Sequence, residues 1–248
     1  MSDDDSTGGG DRRAELAAGL ARVRARIDDA CAAAGRDRDT VTMIAVTKTY
    51  PAGDVLALVG LGVHDVGENR DQEAAGKAAE VAAAGGRPRW HFVGRLQRNK
   101  CRSVVRYADV VHSLDSVRLV GALDTAASAY RDRPLDVLVQ VSIDGDPARG
   151  GTVAGSADPD TGLGPVADAV AKTQGLRLTG LMTVAPLGWE PERAFARLAE
   201  VSSALRVDHP EATELSAGMS GDLETAIGHG ATQVRVGSAL LGMRPTLR

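Results

Sequence analysis

The sequence predicts an α/β fold, a single-domain (β/α)8 TIM barrel with an extra N-terminal helix. Three observations predict it. Short apolar runs alternate with longer helical patterns about eight times, and such alternation builds a parallel sheet. The 248 residues suit a closed barrel of about 250. No GxGxxG opens a helix and no GxxxxGK[ST] occurs, so neither common nucleotide fingerprint supports the rival, an open doubly wound sheet.

The elements follow in order. Residues 1 to about 10, MSDDDSTGGG, are acidic and then glycine-rich, and read as a disordered tail that leaves 11–248 for the barrel. From Asp11 to Ala34, Leu16, Leu20, Val23 and Ile27 recur at helical spacing, and Gly35 ends that helix. Val41–Val46 reads as a strand, 51–61 as a helix with proline at its start, and Val63–Val66 as a short strand. Helix 72–84, strand 89–93, helix 99–107, strand 109–113 and helix 117–130 come next, the last with Ser116 as a possible cap. Leu135–Ile143 is a strong strand. Residues 144–161 are rich in Gly, Asp and Pro and read as a long surface loop. Helix 165–173, strand 176–182, helix 192–205, strand 214–216, helix 223–229 and strand 233–236 complete the series.

Composition narrows the function. Hydrophobic residues are 43% of the chain but aromatics only 3%, so Ala, Val and Leu must fill the core. The net charge of −4 gives no electrostatic reason to expect nucleic acid or an anionic membrane as partner. No signal peptide or bilayer-spanning run is read. Cys31 and Cys101 form no CxxC pair and are expected as free thiols in a reducing cytoplasm. His64, His112, His209 and His229 show no ligand spacing, so no metal is expected. His91, between Trp90 and Phe92, reads as a satisfied core or mouth residue. Arg95, Arg98, Lys100 and Arg102 read as a solvated helix face, with docking of an acidic partner as the alternative.

The chemistry lies at two strand ends. "MIAVTKTYP" places Lys48 at the end of the first strand, on the face of Thr42, Ile44 and Val46. In the last strand, Val234 and Val236 suit the helix layer, which leaves Arg235 pointing into the barrel. First and last strands are neighbours in a closed barrel, so a lysine and an arginine approach each other at the C-terminal mouth, where such folds keep their sites. Two cations there call for an anion or an electron-rich group between them. "ELSAGMSGDLETAI" and "RVGSALLG" supply Ser216, Gly237 and Ser238 at loops that often bind phosphate. One small molecule uses an amine, an arginine and a phosphate cradle together: pyridoxal 5′-phosphate. Burial beside Arg235 would expose a nucleophilic, neutral Lys48 amine for a Schiff base.

"AVTKTYP", "VGENRDQE", "WHFVGRLQRNK", "GLMTV", "LSAGMSGDLETAI" and "VRVGSALLG" together resemble the pyridoxal-phosphate homeostasis proteins, in order, from about residue 12 to 244. That family is similar to the N-terminal barrel of alanine racemase. The resemblance implies Lys48 as the Schiff-base lysine, Arg235 facing the pyridine nitrogen, and Ser216, Gly237 and Ser238 at the phosphate. Asn69 matches a position close to the cofactor and could equally cap the following helix. The chain departs where the family usually reads Ser-Met-Gly-Met-Ser, having Ser216-Ala217-Gly218-Met219-Ser220. The family also often has threonine at Ser238 and an aromatic near Leu241.

Two function classes follow. The first is a cytoplasmic carrier that buffers or delivers pyridoxal phosphate without turnover, expected as a monomer, with apoenzymes that require the cofactor as candidate partners. The second is a cofactor-dependent amino-acid racemase. An arginine at the ring nitrogen makes a weak electron sink. A racemase also needs a second base, and the tyrosines are Tyr50, Tyr107 and Tyr130. The sequence ends at Arg248, just after the barrel, without the second domain that supplies that base in alanine racemase. The carrier is therefore the expectation.

Overall fold

The computed structural model describes residues 7–146 and 149–242. A long helix, α1 (Thr7–Ala33), leads into strands β1 (Thr42–Val46), β2 (Asp65–Glu68), β3 (Arg89–Phe92), β4 (Val110–Leu114), β5 (Leu135–Ser142), β6 (Thr152–Val153), β7 (Leu176–Met182), β8 (Glu214–Ser216) and β9 (Gln233–Val236). Between and after them lie α2 (Ala52–Val59), α3 (Asp71–Ala83), α4 (Cys101–Val104), α5 (Val117–Tyr130), α6 (Leu163–Ala171), α7 (Pro191–Asp208), α8 (Leu223–Gly228) and α9 (Ser238–Leu241).

Eight strands pair in parallel around a ring, β1-β2-β3-β4-β5-β7-β8-β9, and β9 returns to β1. The closed barrel predicted from the alternation is the observed fold. The ninth strand, β6, pairs with the end of β5 through Val141 and Thr152. It lies inside the stretch read as loop, because a two-residue strand carries no period to recognise. Of the expected tail, residues 1–6 lie outside the described residues. Helix α1 begins at Thr7, within the range assigned to that tail, and Arg12 anchors its first turns by donating to Asp54 at 2.7 Å and to the Leu241 carbonyl at 3.1 Å. Residues 243–248 of the barrel range are likewise outside the described residues.

Alternation along the strands sorts side chains into two layers. Val41, Ala45, Val66, Trp90, Val234 and Val236 pack outward against Leu16, Leu20, Val23 and Ile27 of α1, and against Val55 and Leu58 of α2. Arg235 pairs in register with Ile44 and faces the lumen. Gly67 shares that face: a Cβ there would stand 3.1 Å from Ile44 Cγ2. Glycine thus leaves room at the barrel axis, and it also hid the strand, which runs 65–68 rather than 63–66. Helix α1 packs against α8, α9 and α2. At Gly19 it crosses α9 so closely that a Cβ would meet the Leu240 carbonyl oxygen at 2.3 Å.

Candidate functional site

Lys48 follows β1 in a turn closed by the Tyr50 N–H on the Thr47 carbonyl at 3.0 Å. Its side chain is exposed, and it makes no hydrogen bond or ion pair among the described residues. Lys48 is therefore not the desolvated lysine expected from the sequence; of the two cations expected at the mouth, Arg235 is the buried one. Ile44, the register partner of Arg235, precedes Lys48 by four residues. The lysine Cα stands at most roughly 13 Å further towards the mouth, at ~3.3 Å per residue.

The turn is clamped from behind by groups the sequence reading did not single out. Lys77 of α3 is buried and donates to the Thr47 carbonyl at 2.8 Å, to Glu68 Oε1 at 2.6 Å and to Glu73 Oε1 at 3.1 Å. The Thr47 hydroxyl donates to the same Glu68 oxygen at 2.7 Å, and the Thr49 N–H donates to Glu73. Burial pushes the Glu68 carboxyl up, against the opposing pull of Lys77 and Thr47. Thr49 sits at φ 72°, in the left-handed region where a β-branched residue is strained. The clamp holds the backbone on both sides of Lys48 in that shape. A Glu–Lys pair four residues apart on α3, Glu73 and Lys77, was its only sequence signal.

Arg235 lies at the head of a polar chain across the lumen. Its Nη1 donates to the Ser216 carbonyl and to Ser216 Oγ, each at 2.7 Å, and its Nη2 donates to the Thr183 carbonyl at 2.7 Å. Ser216 Oγ lies 3.0 Å from His112 Nδ1, His112 Nε2 lies 2.8 Å from His91 Nδ1, and His91 Nε2 lies 2.9 Å from Asp65 Oδ1. The two ends fix the direction of the protons, because a guanidinium only donates and a carboxylate accepts. With neutral rings, Ser216 donates to His112, His112 to His91 and His91 to Asp65. Burial holds His112 well below the ordinary histidine range, with His91, Arg235 and Arg89 pushing the same way. Burial pushes the Arg235 guanidinium down to about 10, which leaves it a cation at neutral pH. Five guanidinium N–H groups meet three acceptors among the described residues, so Nε–H and one Nη2–H remain there for a ligand.

Ser216 is fully buried in this chain, with its hydroxyl engaged by Arg235 and His112. Ser238 is exposed at the start of α9, after Gly237, and its Oγ lies 3.5 Å from Ser220 Oγ. Ser220, which the sequence reading passed over, also lies 3.4 Å from the Ala239 N–H. Two hydroxyls and the first-turn N–H groups of α9 thus gather beside β9. Asn69, past the end of β2, does not cap α3, whose N-cap is Arg70. Its Oδ1 is buried without a hydrogen-bond partner among the described residues, and the residue lines a cavity of about 570 Å³ with Phe92, Arg95 and Lys100.

The remaining candidates fall elsewhere. His91 and His112 serve the lumen chain, whereas His209 and His229 pair with Asp168 and Glu192 on the outside. The basic run fans out: Lys100 approaches Asp71 at 3.8 Å, and Arg102 donates to the Tyr130 hydroxyl at 2.6 Å. Cys31 and Cys101 are both free and buried, and burial pushes the Cys101 thiol up to about 11. Among the described residues no cluster could hold a metal ion, and no helix is long and apolar enough to cross a membrane.

Comparison with known proteins gives consistent relatives. The family model described as alanine racemase, N-terminal domain, matches residues 19–245. The pyridoxal phosphate homeostasis protein of Mycobacterium leprae is 46% identical, with 94% of each chain covered. That of Escherichia coli K12 is 34% identical over 93% of this chain and 97% of its own. The structure of PipY from Synechococcus elongatus PCC7942 with PLP bound matches with a TM-score of 0.74 at 32% identity, covering 92% of this chain and all of that one.

Proposed function

Because the chain belongs to the pyridoxal phosphate homeostasis protein family, we propose that it binds pyridoxal 5′-phosphate through Lys48 and serves the cofactor's cytoplasmic homeostasis, by buffering or delivery, without turnover. The observation that carries this reading is an exposed Lys48 amine with no partner among the described residues, set at the barrel mouth above a buried arginine.

The residues fit the group. Bound there, pyridoxal phosphate supplies an aldehyde to the Lys48 amine for a Schiff base. Arg235 offers the ring nitrogen two N–H groups that have no acceptor among the described residues. Asn69 Oδ1, the orphaned acceptor, suits the ring hydroxyl. Ser238, Ser220, Gly237 and the N–H groups that open α9 suit the phosphate. Ser216 contributes through Arg235, by holding its guanidinium.

The tyrosine placements favour holding over turnover. The Tyr50 hydroxyl donates to the Gly242 carbonyl at 2.7 Å and its ring lies under Arg12. Burial pushes the Tyr107 hydroxyl far up, and Tyr130 is bound to Arg102. None is presented at the mouth as a second base opposite Lys48. The exposed site also admits water, which suits cofactor exchange better than carbanion chemistry.

The test is an absorbance spectrum with added pyridoxal phosphate, wild type beside Lys48→Ala, followed by borohydride. The visible Schiff-base band is expected in wild type alone and is erased on reduction. A band that persists in Lys48→Ala would remove Lys48 from the role. Racemisation of any amino acid by wild type, lost in Lys48→Ala, would make the protein an enzyme.

A further inference from the structure

The opposite, N-terminal end of the barrel carries a cavity of about 950 Å³, lined between α3, α4 and the starts of β3, β5 and β7. Its volume is at the upper end of the 300–1,000 Å³ usual for small-molecule sites. Six guanidiniums line it, from Arg87, Arg89, Arg106, Arg131, Arg133 and Arg177, against two carboxylates, Asp109 and Asp136. In a chain of net charge −4, this is a local excess of four positive charges.

The two carboxylates are already engaged. Asp136 is shared by Arg89 at 2.8 Å and Arg177 at 2.7 Å. Asp109 takes Arg133 at 3.4 Å and also accepts the Trp90 N–H at 3.0 Å. The other three arginines have no carboxylate partner among the described residues. Arg87 donates to the Ala82 and Gly86 carbonyls, Arg131 donates to the Val105 and Ala108 carbonyls, and Arg106 lies over the Tyr130 ring at 4.2 Å. The Arg131 Nε is buried and unpartnered among the described residues.

We propose that this cavity is a second binding site, for a small organic anion carrying two or more adjacent phosphoryl groups, of nucleoside diphosphate size. Planar guanidinium forks match phosphate oxygens in pairs, and the charge excess suits about three negative charges. The α3 alanines, Pro88 and Pro134 add an apolar shelf on which a flat ring can lie. The site lies at the end of the barrel away from Lys48 and does not depend on the cofactor reading.

Calorimetric titration of the full chain with ADP at low salt tests it, with the double variant Arg106→Gln/Arg133→Gln alongside. Both side chains are exposed and their loss spares the core; thermal melting confirms that the variant is folded. Wild type is expected to bind ADP, AMP to bind more weakly, and the variant to lose about tenfold or more in affinity. Added salt is expected to weaken the wild-type binding. No ADP binding by wild type would overturn the proposal. So would ADP binding equal in both chains, or binding displaced by pyridoxal phosphate and indifferent to the two changes, which would place the anion at the mouth.

Discussion

His112→Gln should remove one specific component of the protein's acid sensitivity. His112 is fully buried among His91, Ser216, Arg235 and Arg89, and the fold holds it neutral. Unfolded, it titrates near the ordinary value of 6.5. Its folded pKa is depressed, so its contribution to stability is fully present above about pH 6.5. As pH falls below that, the unfolded chain takes up a proton that the folded one refuses, and stability drops towards the folded pKa. One proton is worth about 1.4 kcal/mol per pH unit. Between pH 7.5 and 5.0 a single group kept neutral by the fold throughout accumulates about 2 kcal/mol. Urea unfolding at four pH values across this range, on wild type and His112→Gln, measures the difference. Groups that titrate alike in both chains drop out of it. Wild type should lose about 2 kcal/mol more than the variant. Parallel pH profiles would refute the neutral, buried relay.

Two substitutions probe the frame around the mouth. Lys77→Met leaves Glu68 buried without its cation and should cost about 3–5 kcal/mol by urea melting, with much of it restored in Lys77→Met/Glu68→Leu; a loss under about 1 kcal/mol would mean that the clamp behind Lys48 is not the support described. Gly94→Ala places a Cβ 2.0 Å from the Asn69 carbonyl oxygen, so it should lower the melting temperature and weaken retention of pyridoxal phosphate on gel filtration, whereas unchanged retention would remove Asn69 from the ligand set.

The barrel was legible because its strands are near-continuous aliphatic runs buried on both faces, such as Leu135–Ser142. Strand parity alone brought Arg235 inward and left Val234 and Val236 to the helices. Legibility failed where side-chain size or chain distance took over. Gly67 and Glu68 read as loop, yet they complete β2, because glycine is what the crowded axis admits and Glu68 has Lys77 to receive it. Lys48 was expected to be buried because first and last strands are neighbours and bring it towards Arg235; that adjacency says nothing of how far a strand end projects. The partnership of Ser216 with His112 spans 104 residues. Either residue by itself carries only its ordinary donors and acceptors. His91 was read as a satisfied core or mouth residue and His112 as lacking ligand spacing; no spacing within one strand reveals that two neighbouring strands aim them at each other.

The lumen chain also explains how an arginine can be kept at that depth. A buried guanidinium is costly unless its donors are met, and here two backbone carbonyls and a serine hydroxyl meet three of the five. The hydroxyl can accept from Arg235 because its own proton has somewhere to go, down through His112 and His91 to Asp65. Replacing either histidine by an apolar group would strand that proton and loosen the arginine, although neither ring lies within hydrogen-bonding distance of the guanidinium. A cation so fixed opposes protonation of any ring nitrogen it faces, and thereby limits electron withdrawal by that ring. Arginine at the floor, an exposed amine at the rim and no tyrosine presented between them are the features on which the proposal of cofactor holding, rather than turnover, rests.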